Sequence, residues 1–322
     1  MSYKITLTAH GGIDKFKKEP LHLKPPKEDE VTVEHRAIGL NFIDIYQREG
    51  LYPLNTPLVI GQEASGIITA VGDKVTDYKV GDSIVYEGHL GAYATHNNVP
   101  WQRLIHIPKG LPFEEAASSF LRGGTASYLL FDLFPLQKGQ TTLIHAAAGG
   151  VGQILVQWAK AIGATVVATA GSDEKCQIAQ GLGADYTINY TTTPIAKTLR
   201  EYLPEGTHVV YDGVGKATFD ESLDSLRRRG MMVSFGNASG PVPPIAPLAL
   251  LQKGSLFLTR PNLANYTATR DEYMTVMGRW LTTLNEGTVK LANIESFPLE
   301  KVGEAHTKLA NREVLGTIIF KP

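Results

Sequence analysis

Cysteine is almost absent from the sequence, since Cys176 is the single thiol among 322 residues. One cysteine excludes an internal disulfide framework, and it excludes metal sites built from several thiolates, such as four-cysteine zinc sites or iron–sulfur clusters. Long apolar runs are absent too, because no stretch approaches the roughly 20 uninterrupted apolar residues that span a bilayer. Residues 1–8 alternate in the manner of a strand and lack the apolar core of a signal peptide. We therefore expect a cytoplasmic protein that has no membrane partner.

An excess of charge of either sign is also missing. Lys and Arg number 31 and Asp and Glu number 32, which gives a formal net charge of −1. This balance provides no general attraction to nucleic acid, and no basic stretch is interleaved with aromatic residues, so a nucleic-acid partner is not expected. The composition, 43% hydrophobic and 20% charged, is that of a globular protein. At roughly 150 residues per domain, the length predicts about two domains.

The first part of the chain, to about residue 120, has the pattern of a β-rich domain. Short alternating or β-branched runs, separated by Gly, Pro and Asp, occupy residues 31–38, 66–71, 83–86 and 104–107. Strands at this spacing predict a small barrel-like unit. One short helix is predicted over residues 43–48, where Gly50 ends it.

From about Thr125 onward, predicted strands alternate with predicted helices. The strands are residues 142–146, 164–169, 186–190, 208–212 and 231–235, and the first two helices are residues 150–162 and 172–181. Near-continuous apolar strands alternating with helices predict βαβ units and a parallel sheet that is buried on both faces. We interpret Arg227, Arg228 and Arg229 before Gly230 as the cationic end of a helix. The proline-rich residues 241–247 are expected to form a loop.

After the sheet the pattern changes again. Residues 270–285 and 299–311 predict helices, and residues 316–320 predict a final strand. A closing strand after the sheet most simply rejoins the first domain, which makes that domain discontinuous. We predict an α/β protein whose first domain comprises residues 1–123 and 263–322 and whose second comprises residues 124–262.

A glycine-rich turn at residues 145–152 is the most informative segment. It reads His-Ala-Ala-Ala-Gly-Gly-Val-Gly and lies between a predicted strand and a predicted helix. It is a variant of G-x-G-x-x-G in which Ala147 takes the place of the first glycine. Bare backbone at Gly149 lets the chain approach a pyrophosphate, and at Gly152 it lets the helix pack closely on the strand. The segment predicts a dinucleotide site at the helix N-terminus, with a tight turn that binds no ligand as the alternative.

The end of the second predicted strand decides which dinucleotide is expected. An acidic residue that would hold a free ribose 2′-hydroxyl is expected there, but the sequence has Gly171 and Ser172. Asp173 and Glu174 follow Ser172 in the first turn of a helix, where a serine cap and acidic residues are favoured without any ligand. Ser172 and Lys175 offer a hydroxyl and a cation to a 2′-phosphate. We therefore predict NADPH rather than NADH.

Segments along nearly the whole chain carry a family resemblance. They are residues 41–46, 51–53, 61–66, 71–85, 146–152, 233–237, 256–263 and 311–312. Together they resemble the zinc-free medium-chain dehydrogenases/reductases, and among these the NADPH:quinone oxidoreductases of the zeta-crystallin type. The resemblance implies a GroES-like β-rich domain, a Rossmann domain with a doubly wound parallel sheet, and a cleft between them. It also implies a homodimer or homotetramer that pairs through the Rossmann domains.

One departure from the zinc-containing alcohol dehydrogenases bears on the chemistry. Gln62 stands where those enzymes have a ligand histidine, and the nine histidines form no pair at ligand spacing, so no metal is expected. Without a Lewis acid an alkoxide is not readily stabilised, which favours a quinone as the acceptor. The alternatives are an alkenal or enone double-bond reductase, and a non-catalytic NADPH-binding protein of a crystallin-like or RNA-binding kind.

The resemblance also implies a set of site residues. Asn41, Tyr46 and Tyr52 are the candidate catalytic residues, with Asn41 and Tyr52 as possible donors to an acceptor oxygen. The candidate residues for the pyrophosphate are Gly149, Gly150 and Val151, and those for the adenosine ribose and its phosphate are Gly171, Ser172, Lys175, Tyr190 and Arg312. The remaining candidate cofactor residues, mainly on the nicotinamide side, are Asn41, Ile43, Tyr46, Thr125, Tyr128, Phe235, Gly236, Asn237 and Leu263.

Several of these residues also have ordinary structural interpretations. Tyr46 and Tyr52 could be half-buried packing residues. Asp44 is a possible general acid, but a lone acidic residue at a helix start is more often structural. We expect His145 to be a hydrogen-bonded core residue and Cys176 to be a packed thiol with no catalytic role.

Overall fold

A computed structural model describes residues 2–291 and 293–322 and divides them into two compact units. The first unit takes the chain up to Gly124, then Thr267–Asn285 and the segment from Leu291 to Pro322. The second unit is Thr125–Tyr266 and Glu286–Lys290. In the described part of the chain, no helix has the length and apolar character needed to cross a membrane.

The N-terminal part contains β1 (Tyr3–Leu7), β2 (Phe16–Pro20), β3 (Glu30–Leu40), α1 (Phe42–Glu49), β4 (Glu63–Val71), β5 (Ser83–Glu87), β6 (His96–Pro100), β7 (Leu104–His106) and α2 (Phe113–Tyr128). The middle contains β8 (Thr141–Ile144), α3 (Gly150–Ile162), β9 (Thr165–Ala170), α4 (Asp173–Gly181), β10 (Tyr186–Asn189), α5 (Ile195–Tyr202), β11 (Thr207–Asp212), α6 (Phe219–Asp224), β12 (Leu226–Ser234), α7 (Pro247–Gln252), β13 (Phe257–Thr259) and α8 (Leu263–Tyr266). The last part contains α9 (Arg270–Asn285), β14 (Ile294–Pro298), α10 (Val302–Ala310) and β15 (Thr317–Lys321).

The first unit is built on a seven-stranded sheet in the order β14-β15-β3-β4-β5-β7, with β6 paired to β3. Its pairs are antiparallel except for β14 with β15. The predicted helix after β3 is confirmed as α1, and Gly50 ends it in the left-handed conformation at φ 85°. The predicted final strand is β15, and its pairing with β3 places it in the first unit.

The second unit contains a six-stranded sheet in the order β10-β9-β8-β11-β12-β13, and every neighbouring pair is parallel. This confirms the predicted doubly wound sheet. Its central strands are apolar and buried on both faces, as in Thr165–Ala170, because helices cover each side of a parallel sheet. The core consists of residues such as Leu143, Val167 and Val210.

The second unit extends past residue 262, where the sequence placed the domain boundary. Tyr266 belongs to it because the Tyr266 ring stacks on the Tyr128 ring, with centroids 4.5 Å apart. Lys290 belongs to it because its backbone N–H and C=O both hydrogen-bond to the Gln157 side chain.

The interpretation of Arg227, Arg228 and Arg229 as a helix end was wrong. Helix α6 ends at Asp224, and all three arginines lie in β12 with exposed side chains. Leu226 at the start of β12 is buried and pairs with Thr207 of β11, and the register between these strands then shifts. The strand therefore starts before the glycine that suggested a helix end. The proline-rich loop prediction is confirmed up to Ala246, since α7 begins at Pro247.

Candidate cofactor and acceptor site

The glycine-rich turn joins the end of β8 to the start of α3. Ala146 adopts a positive φ of 50°, and the Gly149 N–H donates to the Ala146 carbonyl at 2.8 Å. A Cβ atom at Gly152 would lie 2.3 Å from that carbonyl oxygen, so no side chain fits there. The first N–H groups of α3, from Gly150 onward, have no carbonyl partner within the helix, which makes this end favourable for an anion. The turn therefore has the bare backbone that a pyrophosphate requires.

The carboxyl ends of β9 and β10 bring four of the predicted ribose residues together. Ser172 caps α4, and its Oγ accepts the Lys175 N–H at 3.3 Å. A Cβ atom at Gly171 would lie 2.8 Å from the Tyr190 hydroxyl, so Gly171 and Tyr190 are neighbours. The structural interpretation of Asp173 is confirmed, since it lies in the first turn of α4 and accepts a hydrogen bond from Asn189 at 2.7 Å.

Three of the predicted nicotinamide residues of the second unit lie directly after β12. Phe235 donates its N–H to the Asp212 carbonyl at 2.8 Å, and a Cβ atom at Gly236 would lie 2.4 Å from the Gly213 carbonyl oxygen. Asn237 follows directly in the same loop. The loops after β11 and β12 are therefore closely packed against each other.

The other predicted residues of this unit lie on helices. Leu263 begins α8, and Thr125 and Tyr128 lie on α2. Tyr128 is only 2% exposed and packs against Tyr266, so its ring serves the core of the unit. Its predicted contact with the cofactor stays a prediction.

In the first unit, Asn41 is held on several sides at the start of α1. Its backbone N–H donates to the Asp44 carboxylate at 2.9 Å, its amide group donates to Glu63 at 2.6 Å, and its amide oxygen accepts from Arg122 at 3.0 Å. Asn41 is buried. These bonds fix its orientation, and its predicted role as a donor to an acceptor oxygen stays a prediction.

Glu63 and Arg122 are buried charged residues that the sequence did not single out as site residues. Glu63 also accepts the Leu121 N–H at 2.6 Å, and Arg122 donates to the Leu40 carbonyl at 2.5 Å. Burial raises the pKa of Glu63 to about 7. The nearby Arg122 guanidinium acts in the opposite direction and limits this rise. The motif at residues 61–66 was a signal for Glu63, but nothing in the local sequence indicated Arg122.

Tyr46 and Tyr52 lie together, as the prediction of a shared site requires. Their ring centroids are 5.5 Å apart and their planes meet at 78°, and Phe42 lies 6.1 Å from Tyr46 on the same helix. Tyr52 is 37% exposed. Phe42, Tyr46 and Tyr52 thus form an aromatic group with an accessible edge, and Ile43 lies next to it in sequence.

Other predicted residues have the structural surroundings that the sequence indicated. Asp44 is buried and accepts a hydrogen bond from the Tyr93 hydroxyl at 3.2 Å, and burial raises its pKa to about 7. His145 is buried and hydrogen-bonded at both ring nitrogens. Cys176 is a buried free thiol whose pKa is raised by burial. Arg312 lies in the first unit just after α10, with a positive φ of 61°, and its contact with the ribose phosphate stays a prediction.

Among residues 2–291 and 293–322, no group of three or more His, Cys, Asp or Glu side chains is placed to hold a metal ion. The expectation that catalysis needs no metal stays a prediction.

The chain matches two domain families and is similar over its full length to known reductases. Residues 27–109 match the alcohol dehydrogenase GroES-like domain, and residues 150–281 match the zinc-binding dehydrogenase family. The chain is 41% identical to a quinone oxidoreductase of Pseudomonas aeruginosa, with 100% of both chains covered. It is 39% identical to a 2-haloacrylate reductase of a Burkholderia species over 97% of this chain and 96% of that one. The crystal structure of an Escherichia coli quinone oxidoreductase complexed with NADPH matches with a TM-score of 0.96 at 40% identity, covering 99% of this chain and 100% of that one.

Proposed function

Because the chain belongs to the quinone oxidoreductase family of medium-chain dehydrogenases/reductases, we propose that it is an oxidoreductase that uses NADPH to reduce quinones. The observation that carries this proposal is the 41% identity to a quinone oxidoreductase over the full length of both chains. Consumption of NADPH should be measured against a panel of quinones and enones, with metal analysis of the same sample. Quinone-dependent turnover without stoichiometric metal supports the proposal, and a tightly held metal would contradict its metal-free chemistry.

The residues of the glycine-rich turn fit NADPH. Bare backbone between Ala146 and Gly152 and the first N–H groups of α3 would hold the pyrophosphate. Ser172, Lys175 and Tyr190 would hold the 2′-phosphate, because a hydroxyl and an ammonium group suit a phosphate and no acidic side chain stands directly at the end of β9. The nicotinamide ring of NADPH, when bound, supplies a hydride.

The residues that act on the acceptor belong, in this proposal, to the first unit. The edge-to-face pair of Tyr46 and Tyr52 offers an apolar face to a flat ring, and the Tyr52 hydroxyl donates to the oxygen of that ring. Asn41 orients the first turn of α1 through its bonds to Glu63 and Arg122. A quinone delocalises negative charge by itself, so hydrogen-bond donors and the exclusion of water are the contributions required of the protein.

A second candidate reaction is reduction of an activated carbon–carbon double bond. It is favoured by the 39% identity to a 2-haloacrylate reductase over nearly the whole of both chains. The acceptor needs of the two reactions are similar, since an enone and a quinone are both conjugated carbonyl compounds. Steady-state assays with 1,4-benzoquinone, 2-chloroacrylate and an α,β-unsaturated ketone, each with NADPH, separate the two reactions.

We also propose that two copies pair through the edge strand β13 of the second unit. Phe257 in this strand is 56% exposed, and Leu248 and Leu251 in the preceding helix α7 are 58% and 62% exposed. An edge strand with apolar neighbours is a favourable surface for pairing with a second copy. Light scattering after gel filtration should give a homodimer or homotetramer for the native chain and a smaller particle for Phe257→Lys.

A further inference from the structure

The second unit contains a buried chain of polar side chains that the proposed function leaves unused. The chain consists of Thr169, His145, Ser222 and Asp212, each at most 1% exposed. His145 follows β8, Thr169 lies near the end of β9, Asp212 ends β11, and Ser222 lies on α6. In parallel α/β sheets, the carboxyl ends of the strands are where ligands bind. We refer to these four residues as the His145 chain.

Hydrogen bonds connect the His145 chain from end to end. Thr169 Oγ1 lies 2.7 Å from His145 Nδ1, and His145 Nε2 lies 2.9 Å from Ser222 Oγ. Ser222 Oγ donates to Asp212 Oδ2 at 2.9 Å. Burial lowers the pKa of His145, which favours a neutral ring with one N–H and one acceptor nitrogen. The Ser222 hydroxyl has one hydrogen, for which Asp212 Oδ2 and the Thr218 carbonyl are both acceptors. With that hydrogen on either acceptor, the bond to Ser222 requires the imidazole hydrogen on Nε2, and Nδ1 then accepts from Thr169.

The Asp212 carboxyl group also holds the loop after β11 by hydrogen bonds. Its Oδ1 accepts the N–H groups of Val214 at 2.7 Å and Gly215 at 3.0 Å, and its Oδ2 also accepts the Thr218 hydroxyl at 2.8 Å. The Asp212 carboxyl group therefore contacts two backbone N–H groups and two side-chain hydroxyls. The loop at residues 213–215 is therefore fixed by the same carboxylate that ends the His145 chain.

The loop at residues 213–215 in turn supports the predicted nicotinamide residues. The Asp212 carbonyl accepts the N–H groups of Phe235 at 2.8 Å and of Gly236 at 3.3 Å, which joins the two loops directly. Ser239 donates its N–H to the Val214 carbonyl at 2.7 Å. A shift of Asp212 would therefore displace residues 235–237.

The opposite end of the His145 chain adjoins the turn that is proposed to hold the pyrophosphate. His145 directly precedes Ala146, whose positive φ of 50° starts the turn. The backbone N–H of His145 donates to the Tyr211 carbonyl at 3.0 Å, next to Asp212 in sequence. The His145 backbone thus adjoins the turn, and its imidazole connects through Ser222 to Asp212 before the loop after β11.

We propose that His145 is a positioning residue for NADPH, which fixes residues 235–237 relative to the turn at residues 146–152 through Ser222 and Asp212. This inference rests on the proposed function. The nicotinamide half depends on the spacing between the two loops. The adenosine half is bound by Gly171, Ser172 and Lys175 after β9, a strand that the imidazole contacts only through the Thr169 hydroxyl. Loss of the His145 chain should therefore weaken contacts with the nicotinamide half selectively.

Two substitutions of His145 test this selectivity. His145→Leu keeps a similar volume but removes both hydrogen bonds, whereas the amide of His145→Gln can accept from Thr169 and donate to Ser222. Affinities are measured for NADPH and for 2′,5′-ADP, which lacks the nicotinamide half. We expect His145→Leu to weaken NADPH binding about tenfold and to lower kcat/KM about 100-fold, as for a reacting group misplaced by about 1 Å, with 2′,5′-ADP affinity within about twofold. His145→Gln should restore most of both losses.

A milder pair of variants covers the case in which His145→Leu does not fold. Ser222→Ala interrupts the His145 chain. The control is Ser225→Ala at the end of the same helix, which removes a buried hydroxyl that donates to the Glu221 carbonyl. Selective loss of NADPH affinity in Ser222→Ala, but not in Ser225→Ala, supports the proposal. Equal losses for NADPH and 2′,5′-ADP, or no loss for either, overturn it. Native protein that fails to bind NADPH contradicts the proposed function as well, whereas native binding with unaffected variants overturns this inference alone.

Discussion

At the scale of single residues, we propose that the preference for the phosphorylated nucleotide depends on Lys175. Its backbone is fixed by the Ser172 cap, and its ammonium group is proposed to pair with the 2′-phosphate. A hydrogen bond to a charged group contributes about 1.5–3 kcal/mol, so Lys175→Ala should raise the KM for NADPH at least about tenfold and leave that for NADH within about twofold. Lys197→Ala, at an exposed lysine of α5, is the matched control and should change neither value. Equal effects on NADPH and NADH would contradict the proposed subsite.

The proposed hydrogen-bond donor to the acceptor is the Tyr52 hydroxyl. Tyr52→Phe removes the hydroxyl but keeps the ring against Tyr46, so kcat with a quinone should fall about tenfold while the affinity for NADPH is unchanged. The control is Tyr202→Phe in the second unit, at a tyrosine of similar exposure, 38% against 37%. Full kcat in Tyr52→Phe would remove the proposed donor role.

Residue roles were predictable where a short motif carries them and unpredictable where a contact joins distant segments. The glycines of the turn and the Ser172 cap were predicted from neighbours in sequence. The bond between Arg122 and Asn41 joins residues 81 positions apart, and that between His145 and Ser222 joins residues 77 apart. Such pairs form only when the sheet brings separate elements together, so composition and spacing give no signal for them.

At the scale of elements, Gly152 determines how closely α3 approaches the turn before it. A Cβ atom there would lie 2.3 Å from the Ala146 carbonyl oxygen and 2.8 Å from the Ala147 Cα, and both are backbone atoms that cannot easily move. Gly152→Ala should therefore cost about 1–3 kcal/mol in the free energy of unfolding and should weaken NADPH binding, because the helix N-terminus must move away from the turn. Chemical denaturation and nucleotide titration measure the two effects.

Gly181 provides the contrasting control. It ends α4, and a Cβ atom there would meet nothing within 4 Å. Alanine favours a helix over glycine by up to about 1 kcal/mol, so Gly181→Ala should leave stability unchanged or increase it. A Gly152→Ala variant as stable as the native chain would show that the close approach is not required.

Elements with strong local patterns were predicted, and those that depend on partners were not. The alternation of apolar strands with helices predicted β8 to β12, and the pattern is strongest in β8, β9 and β11, which are buried on both faces. The short strand β14, at Ile294–Pro298, was not predicted, because its residues have little apolar alternation and the strand is defined by its pairing with β15. The arginines of β12 were wrongly interpreted because a basic run before a glycine also occurs at the ends of helices.

At the scale of the whole molecule, buried carboxyl groups make stability depend on pH. Burial raises the pKa of Glu87 to about 7, as it does for Glu63 and Asp44. The native state therefore binds protons that the unfolded state has released, and each group's contribution is fully present below about pH 4 and is lost as the pH rises towards 7. Glu87→Gln removes one of these carboxyl groups. The free energy of unfolding of the variant should therefore rise relative to that of the native chain by up to about 3 kcal/mol between pH 5 and pH 8.

Buried histidines act in the opposite direction, so the test is the difference between variant and native chain at each pH. Burial lowers the pKa of His35 to about 4 and that of His306 to about 3, and their contribution is lost as the pH falls below about 6.5. This contribution is the same in both proteins and cancels in the difference. Urea denaturation at each pH gives the values, with Glu201→Gln at an exposed site of α5 as the control. A difference that does not change with pH would contradict a raised pKa for Glu87.

The most direct test of the account is titration of the purified full-length protein with NADPH and NADH, followed by calorimetry or by nucleotide fluorescence. We predict saturable binding of one NADPH per chain and at least about tenfold weaker binding of NADH, because the 2′-phosphate is held by a charge-assisted contact. Absence of saturable binding, or NADH binding as tight as that of NADPH, would contradict it.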